Sequence, residues 1–367
     1  MWLSSLIVLN RNIPLPSLKK ISLTQFRNFD FQSFQFNAKV TGITGLNGAG
    51  KTNLLDAIYY LCYTKSYFQG REINNVKYDT TGFRIEGEFE NETIVCKWKE
   101  GKKSIEHDGI VYEKVTEHIG KYSSVMIAPD DIELINDGSE LRRKFMDGLL
   151  SQSDSNYLEY LLLYQKILIQ RNAYLKQTAT PNISHDLLDV YDEQLAQYGS
   201  YLIQERKRLS LQLPHWVQEY YGILSNDAER VGLIYKNNAE PEDIKEALHK
   251  SRRRDLEYKR TLVGPHTDDW HFQIGDNPMK AHASQGQKKS FLISLKLAHI
   301  KWLELLNKRP FLLLDDIFEK LDRKRLLKLF EMLEQFKLSQ IFLTHTSEAD
   351  LLETLQQFYK DIQIIKL

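Results

Sequence analysis

Gly45-Leu46-Asn47-Gly48-Ala49-Gly50-Lys51-Thr52 fits the pattern G-x-x-x-x-G-K-[ST] of a phosphate-binding loop. Residues 40–44, ahead of it, predict a short buried strand, and residues 53–61, behind it, predict a helix with an apolar face. In this setting the glycines let backbone N–H groups point at phosphate oxygens, and the helix N-terminus adds partial positive charge. The pattern therefore predicts a nucleoside-triphosphate site, in which Lys51 reaches the β- and γ-phosphates and the Thr52 hydroxyl holds Mg²⁺.

Composition limits the class of protein without deciding it. The 367 residues carry 49 Lys+Arg and 49 Asp+Glu, so a nucleic-acid partner would have to bind local patches and not the bulk charge. Cys62 and Cys96 have no metal-ligand spacing, which favours packing residues in a reducing compartment. No apolar run approaches the roughly 20 residues of a membrane span. We expect a cytoplasmic protein without a membrane anchor, in which residues 1–17 form a loose extension.

Residues 18–138 predict a β-rich lobe around the loop, because apolar and polar side chains alternate there. The expected strands cover residues 19–26, 31–36, 83–89, 93–98 and 122–127, with a hairpin turn at Asp108-Gly109. Residues 139–255 instead carry leucine, tyrosine and charge at helical spacing, and the helices are expected to end near Pro181, Pro214 and Pro241.

From residue 256 to residue 367 predicted strands and helices alternate again, which favours a mostly parallel sheet. The predicted fold is therefore α/β. Residues 18–138 and 256–367 together form one head domain, residues 139–255 an inserted helical domain, and residues 1–17 an N-terminal extension.

Two acids, Asp315 and Asp316, directly follow the apolar strand predicted at residues 311–314. Downstream of a phosphate-binding loop, this pair matches the Walker B pattern. We expect Asp315 to hold Mg²⁺ and Asp316 to orient or deprotonate the attacking water. A solvated turn is the alternative for an acidic pair taken alone.

Ser284-Gln285-Gly286-Gln287 precedes a long helix predicted at about 288–306. Ser284 at the helix N-terminus, with Gly286 allowing close backbone approach, predicts a second phosphate site; an ordinary N-cap serine, worth about 1 kcal/mol, is the alternative. One compact domain hardly needs two helix ends for one γ-phosphate, whereas a site shared by two protomers would need both.

His345 follows another apolar strand. There it could bond a γ-phosphate oxygen or the attacking water, or it could be structural.

Together these motifs resemble those of ABC-type ATPase heads in the SMC-like branch, where an insertion splits the head. The match narrows to the RecF family of bacterial recombination and repair proteins. The segments that carry the resemblance span nearly all of residues 18–367: 21–29, 45–61, 128–132, 141–147, 264–269 and 314–322. The resemblance implies a mixed sheet with the phosphate-binding loop, a β-rich N-terminal lobe and an inserted helical arm domain.

The resemblance also implies a function, namely a DNA-binding ATPase whose two protomers close on two ATP molecules. It assigns residues 45–52 and Asn53 to the nucleotide, Arg27 and Asn28 to its side, residues 284–287 to the partner's γ-phosphate, and Asp322 to the D-loop. The family loads recombinase onto gapped DNA with RecO and RecR, and supports replication restart and the SOS response. The second Walker B acid here is Asp where many heads have Glu, which is consistent with slow ATP turnover, and no Q-loop glutamine is clear near residues 128–131.

Two basic runs are candidates for DNA phosphate contact, namely Arg252-Arg253-Arg254 with Lys259-Arg260, and Arg142-Arg143-Lys144. Such runs are more often solvated faces. Nothing resembles a base-reading element, so DNA binding is expected to be independent of sequence and steeply salt-dependent.

Two other classes of protein compete with this interpretation. A small-molecule kinase or GTPase would share the loop, but the residues 284–287 motif, the helical insert and the absence of a guanine-specifying N-K-x-D argue against it. The structural ATPase head of a chromosome-organising SMC-like complex would share the motifs, but an insert of residues 139–255 is too short for its arms.

Overall fold

The structure is a computed structural model that describes residues 17–177 and 185–367. In chain order its strands are β1 (Leu18–Phe26), β2 (Phe29–Gln35), β3 (Val40–Thr44), β4 (Gly82–Phe89), β5 (Thr93–Lys99), β6 (Lys102–His107), β7 (Ile110–Val111), β8 (Ser124–Ile127), β9 (Val231–Lys236), β10 (Asp269–Ile274), β11 (Asn277–Pro278), β12 (Phe311–Leu314), β13 (Ile341–His345) and β14 (Ile362–Lys366). Its helices are α1 (Lys51–Tyr63), α2 (Glu133–Asn136), α3 (Ser139–Ser153), α4 (Ser155–Gln177), α5 (His185–Ser225), α6 (Ile244–Tyr258), α7 (Met279–His282), α8 (Gln285–Leu305), α9 (Ile317–Lys320), α10 (Arg323–Glu334) and α11 (Glu348–Leu355). The expectations for residues 1–16 and for Pro181 lie outside the described residues.

The five-stranded sheet carries the phosphate-binding loop. Its order is β14-β3-β13-β12-β8, and all neighbouring strands are parallel. Strands β3, β8, β12 and β13 are buried along their whole length, as a parallel sheet covered on both faces requires. Because β13 alone separates β3 from β12, the loop after β3 and the acids after β12 lie at the same edge of the sheet.

A second, antiparallel sheet has the order β2-β1-β4-β5-β6-β7. Helix α1 packs between the two sheets, and its apolar residues share one core with Phe83 and Ile85 on one side and Leu313 and Phe342 on the other. The predicted hairpin turn joins β6 to β7, with positive φ at both Asp108 (49°) and Gly109 (78°). The expectation of one mixed sheet is wrong in this detail, because the described strands form sheets that are each purely parallel or purely antiparallel.

The described residues between 139 and 258 are mostly helical, but two expectations for this stretch are wrong. Helix α5 continues through Pro214 to Ser225. An interior proline costs about 3 kcal/mol, whereas each large apolar side chain buried beyond it contributes about 1.5–3 kcal/mol. Trp216, Val217 and Tyr221 are buried there, so packing outweighs the proline.

The second correction concerns β9, which lies inside the stretch expected to be helical. It pairs antiparallel with β10, from Val231↔Ile274 to Lys236↔Asp269, and ties the insert to the head. Helix α6 also continues to Tyr258, three residues past the predicted domain boundary. Among the described helices, none has both the length and the apolar character needed to cross a membrane.

Candidate nucleotide-binding site

The loop between β3 and α1 is shaped by glycines with positive φ, namely Gly45 (151°), Gly48 (82°) and Gly50 (110°). A Cβ atom on Gly50 would lie 2.6 Å from Asn28 Nδ2 and 2.9 Å from Phe29 Cζ, so this position needs glycine for both its backbone and its surroundings. Asn28 Nδ2 donates to Ala49 O at 3.1 Å, and Asn28 Oδ1 accepts from Asn53 Nδ2 at 2.7 Å. Asn28 therefore ties the loop to α1.

Lys51 is the first residue of α1, and only 7% of its surface is exposed. Its Nζ donates to Gly45 O at 2.8 Å and to Leu46 O at 3.0 Å. These bonds hold an ammonium group within the loop. Because hydrogen bonds to an anionic phosphate are stronger than those to a neutral carbonyl, the same group can exchange its carbonyl partners for phosphate oxygens.

Thr52 and Asp315 meet across 263 residues of sequence. Thr52 Oγ1 donates to Asp315 Oδ1 at 2.9 Å, and Thr344 Oγ1 donates to the same oxygen at 2.9 Å. Burial raises the pKa of Asp315 to about 6, against the effect of these two hydroxyl donors, and the nearby Asp316 and Asp130 raise it further. A hydroxyl and a carboxylate in contact form the hard oxygen donor set that Mg²⁺ prefers, so the residues fit the metal that the sequence predicts.

Asp316 lies beside the loop in a left-handed conformation, with a φ of 47°. Its backbone N–H donates to Thr344 Oγ1 at 2.9 Å. Together with loop residues and the start of α1, Asp316 lines a cavity of about 190 Å³; the lining is Asn47, Gly48, Gly50, Lys51, Thr52, Asn53 and Asp316. The structure thus brings Asp316 to the predicted phosphate site.

His345 ends β13 and is 8% exposed. Its ring stacks on Phe318 with centroids 4.6 Å apart, and its Nε2 lies 3.8 Å from Asp350 Oδ2. Its Nδ1 is buried without a partner among the described residues. His345 is absent from the described lining of the cavity, so its predicted contact with the γ-phosphate remains a prediction.

Arg27, predicted to touch the side of the nucleotide, makes hydrogen bonds within its own chain, and its contact with the nucleotide remains a prediction. Its guanidinium donates to Asn53 Oδ1 at 2.8 Å, to Ser66 Oγ at 2.9 Å, to Asn75 Oδ1 and to Asp56. Burial lowers the pKa of Arg27, and Asp56 acts in the opposite direction. The side chain braces α1 from the turn after β1, and it is not among the residues that line the cavity.

The residues 284–287 motif begins α8. Ser284 Oγ accepts from Gln287 N at 3.3 Å, and Gln287 Oε1 accepts from Ser284 N at 2.7 Å, which makes a capping box. Asp322 caps α10 in a similar way, accepting from Arg325 N at 3.0 Å. Ser284, Gln285 and Asp322 are exposed, and no residue of the motif is among those lining the cavity at the loop.

Sequence reasoning missed Thr344, whose hydroxyl bonds both Walker B residues. The available signal was a hydroxyl residue near the end of an apolar strand, just before His345. It also missed Glu229, whose Oε1 accepts from Gln287 Nε2 at 2.9 Å and from the Tyr221 hydroxyl, and so connects the motif to the end of α5.

The acids after β8 divide into two roles. Asp131 forms a buried ion pair with Lys296 at 2.7 Å. Asp130 instead contributes to the raised pKa of Asp315. Asp131 is therefore paired with α8, whereas Asp130 lies close enough to Asp315 to act on its pKa.

The residues of the two basic runs differ in burial and pairing. Arg252 is buried and pairs with Asp189 and with Asp192 at 2.5 and 2.7 Å, and Arg142 bonds both carboxylate oxygens of Asp269. The expectation that these two are surface cations is therefore wrong. Arg143 donates to Asp268 O at 2.7 Å. Arg253, Arg254, Lys259 and Arg260 are exposed.

Comparisons with known proteins agree with this architecture. The family model described as RecF/RecN/SMC N terminal domain matches residues 17–363. The DNA replication and repair protein RecF of Flavobacterium johnsoniae is 39% identical, covering 94% of this chain and 98% of that protein. The RecF of Cytophaga hutchinsonii is 38% identical, covering 89% and 88% respectively.

Solved structures give the same result. A structure of the recombination mediator protein RecF with ATP, from the RecFOR pathway, has a TM-score of 0.85 at 34% identity and covers 93% of this chain and 95% of that one. The Smc head domain of Pyrococcus furiosus has a TM-score of 0.55 at 16% identity, with coverage of 95% and 92%, and shares the fold. The chain therefore belongs to the RecF family of DNA replication and repair proteins, and its fold is that of an ABC-type ATPase head.

Proposed function

We propose that two copies of this chain close on two ATP molecules, and that the closed dimer holds DNA during recombinational repair. The observation that carries this proposal is the separation, within one chain, of the loop from the residues 284–287 motif. Loop residues, Thr52 and Asp316 line one cavity, with Asp315 bonded to Thr52, whereas residues 284–287 lie outside that lining with Ser284 exposed. A second chain is the natural source of the missing contacts.

In this proposal each ATP lies on the loop of one protomer. Backbone N–H groups of residues 45–52 and the Lys51 ammonium bind the β- and γ-phosphates. Thr52 and Asp315 hold Mg²⁺, which neutralises phosphate charge. Asp316, at the edge of the cavity, orients the attacking water and accepts its proton. Ser284 of the partner then faces the γ-phosphate.

Hydrolysis is proposed to be slow and to release the dimer from DNA. The aspartate at position 316 has a shorter side chain than a glutamate and reaches less far toward water. ATP binding is thus the event that closes the protein, and hydrolysis ends the closed state.

For DNA, the proposal rests on the exposed cations Arg253, Arg254, Lys259 and Arg260, at and after the end of α6. These side chains can neutralise backbone phosphates without reading bases, so binding is expected to fall steeply with salt. RecF structures belong to the RecFOR pathway, and on that basis we propose RecO and RecR as partners in recombinase loading.

The test is to measure the size of the protein by light scattering with ATP and Mg²⁺, with and without DNA. The wild type is expected to dimerise with ATP and to bind DNA more tightly as a dimer. Lys51→Met should abolish both effects. A wild type that stays monomeric with ATP and has no affinity for DNA would contradict the proposal.

A further inference from the structure

Arg325, in the first turn of α10, lies against the residues 284–287 motif. A Cβ atom on Gly286 would be 3.0 Å from Arg325 Nη1, so the guanidinium fits against this position because glycine leaves it open. The two elements come from distant parts of the sequence, and both begin at an exposed N-cap residue, Ser284 for α8 and Asp322 for α10. Arg325 thus adds a full positive charge beside the proposed trans phosphate contact.

The guanidinium of Arg325 has little to bind within its own chain. Its Nε lies 3.5 Å from Asp322 Oδ2, beyond normal hydrogen-bond length, while Asp322 Oδ1 accepts the backbone N–H of Arg325. Nearly a third of the side chain (30%) is exposed. Within residues 17–177 and 185–367, the structure gives this guanidinium no hydrogen bond.

Arg206 differs from Arg325 because its guanidinium is hydrogen-bonded within the chain. Arg206 donates to Asp147, Asp268, the Tyr157 hydroxyl and Pro265 O, and 2% of its side chain is exposed. The guanidinium group of such an arginine is already bound within its own chain. An arginine with five donors, one loose carboxylate and partial exposure is instead available to an external anion.

The neighbouring cations are less suited to this role. Lys328, one turn later, donates to Ile223 O and to Asn226 Oδ1 at 2.6 Å, and so closes the end of α5. Lys324 is exposed next to Arg325. The open space beside these side chains, about 240 Å³, gives the Arg325 side chain room to change rotamer; it is lined by Leu224, Ser225, Asn226, Asp322, Lys324, Arg325 and Lys328.

We propose that Arg325 acts in trans, binding γ-phosphate oxygens of the ATP held on the partner's loop. This inference rests on the proposed ATP-bridged dimer. Guanidinium groups bind phosphate through two parallel hydrogen bonds, which fixes geometry as well as charge. During hydrolysis water adds to the γ-phosphorus as its bond to the ADP oxygen breaks. Arg325 forms no covalent bond and stabilises charge on the phosphoryl oxygens.

The first experiment compares Arg325→Ala, Arg325→Lys and the matched control Lys324→Ala, which removes one charge from the neighbouring position. We expect Arg325→Ala to bind nucleotide as a monomer like the wild type, but to weaken the ATP-dependent dimer at least about tenfold and ATP hydrolysis by about 10³-fold or more. Arg325→Lys should recover dimerisation in part, since it keeps the charge but loses the two-bond geometry. Circular dichroism checks folding, which alanine in a first helical turn should preserve.

A mixing experiment tests action in trans. Equal amounts of Lys51→Met and Arg325→Ala should give an ATPase rate well above that of either variant alone, up to about a quarter of the wild-type rate, because the mixed dimer is held by one ATP at a site with an intact loop and an intact Arg325 from the other chain. Lys51→Met mixed with Ser284→Arg is the reference. Recovery in the reference mixture alone would show that Arg325 acts within its own chain, and would overturn the inference.

The outcomes separate the two proposals. A wild type that remains monomeric with ATP contradicts the proposed function. A wild type that dimerises, with an Arg325→Ala dimer constant equal to that of Lys324→Ala, contradicts only the role of Arg325. If neither mixture recovers ATPase activity, the dimer constants of Arg325→Ala and Lys324→Ala decide whether Arg325 contributes to the dimer.

Discussion

The two elements of this head that we propose to bind phosphate are built in opposite ways. At the loop, Lys51 and Asp315 are 7% and 4% exposed, and Thr52 bonds Asp315 across 263 residues. At the start of α8, Ser284 is exposed, and among the described residues its side chain bonds only Gln287, three residues away. The first element is completed by tertiary contacts within the chain. The second leaves polar groups at the surface, as an element must if a second chain is to complete it.

The largest expected effect comes from removing Lys51. Lys51→Ala should lower ATP hydrolysis by about 10²–10³-fold or more, since it removes the cation aimed at the phosphates. ATP-dependent dimerisation should be lost with it. Coupled ATPase assays and nucleotide titrations measure both effects.

Lys39→Ala is the matched control for Lys51→Ala, because Lys39 is an exposed lysine at the opposite end of β3. An ATP affinity of Lys51→Ala equal to that of this control would show that the loop is not the phosphate site.

Asp315→Asn should change activity and stability in opposite directions. Losing the carboxylate should reduce Mg²⁺-dependent ATPase activity by about 10²-fold. The folded pKa of about 6 exceeds the ordinary value of 3.8, so ionised Asp315 destabilises the native state at neutral pH by at most about 3 kcal/mol. Without nucleotide or Mg²⁺, the variant should therefore be more stable by about 1–3 kcal/mol in denaturant unfolding at pH 7.5.

The pH dependence gives the same prediction a second test. Between pH 6 and about 4 folding takes up a proton at Asp315, so this group adds stability as the pH falls through that window. The difference in unfolding free energy between variant and wild type should shrink across it. A difference that stays constant with pH would mean that Asp315 is already ionised at little cost in the folded protein.

Ser284→Arg should affect the other element selectively. The variant loses the N-cap bond, which costs about 1 kcal/mol, and places a large cation at the proposed interface. ATP binding by the monomer should remain within about twofold of the wild type, while the ATP-dependent dimer weakens at least about tenfold. Ser347→Arg, at the half-buried N-cap of α11, is the control for the lost cap. Equal dimerisation by the two variants would count against a trans contact at Ser284.

The smallest effect is expected from Gly286→Ala. Alanine is favoured over glycine in a helix by about 1 kcal/mol, so the variant should be slightly more stable. Its Cβ would lie 3.0 Å from Arg325 Nη1, so the guanidinium must shift and the ATP-dependent dimer should weaken by a few-fold. Thermal unfolding measures the gain in stability, and dimer constants measure the loss of dimer affinity. Stabilisation without any change in the dimer would show that the position of Arg325 does not matter.

Much of the head could be predicted from the sequence because its signals are local. Apolar residues 311–314 followed by two acids predict a buried strand and a Walker B pair, and the structure has β12 ending at Leu314 with Asp315 at the sheet edge. Asp108-Gly109 predicted the turn between β6 and β7. The family prediction, made from such motifs in order, is confirmed by the relatives and their structures.

The errors have a common cause. Pro214 is a helix breaker by local chemistry, but burial of residues beyond it keeps α5 intact. Residues 231–236 form a strand because their backbone pairs with the edge of β10. The charges of Arg142 and Arg252 were visible in the sequence, but their carboxylate partners lie 127 and 60 residues away. No local pattern reports such contacts.

For this protein, the sequence by itself determined the phosphate-binding loop, the Walker B pair and the family, because glycine, lysine and acidic residues at fixed spacing carry their chemistry with them. Only the tertiary structure decided which charged groups are free to meet a ligand. Arg27, Arg252 and Arg325 look alike in the sequence, but the first two are enclosed by carboxylate and amide partners whereas the third is not. The physical reason is that desolvation and pairing are properties of a side chain's three-dimensional surroundings, which distant segments supply.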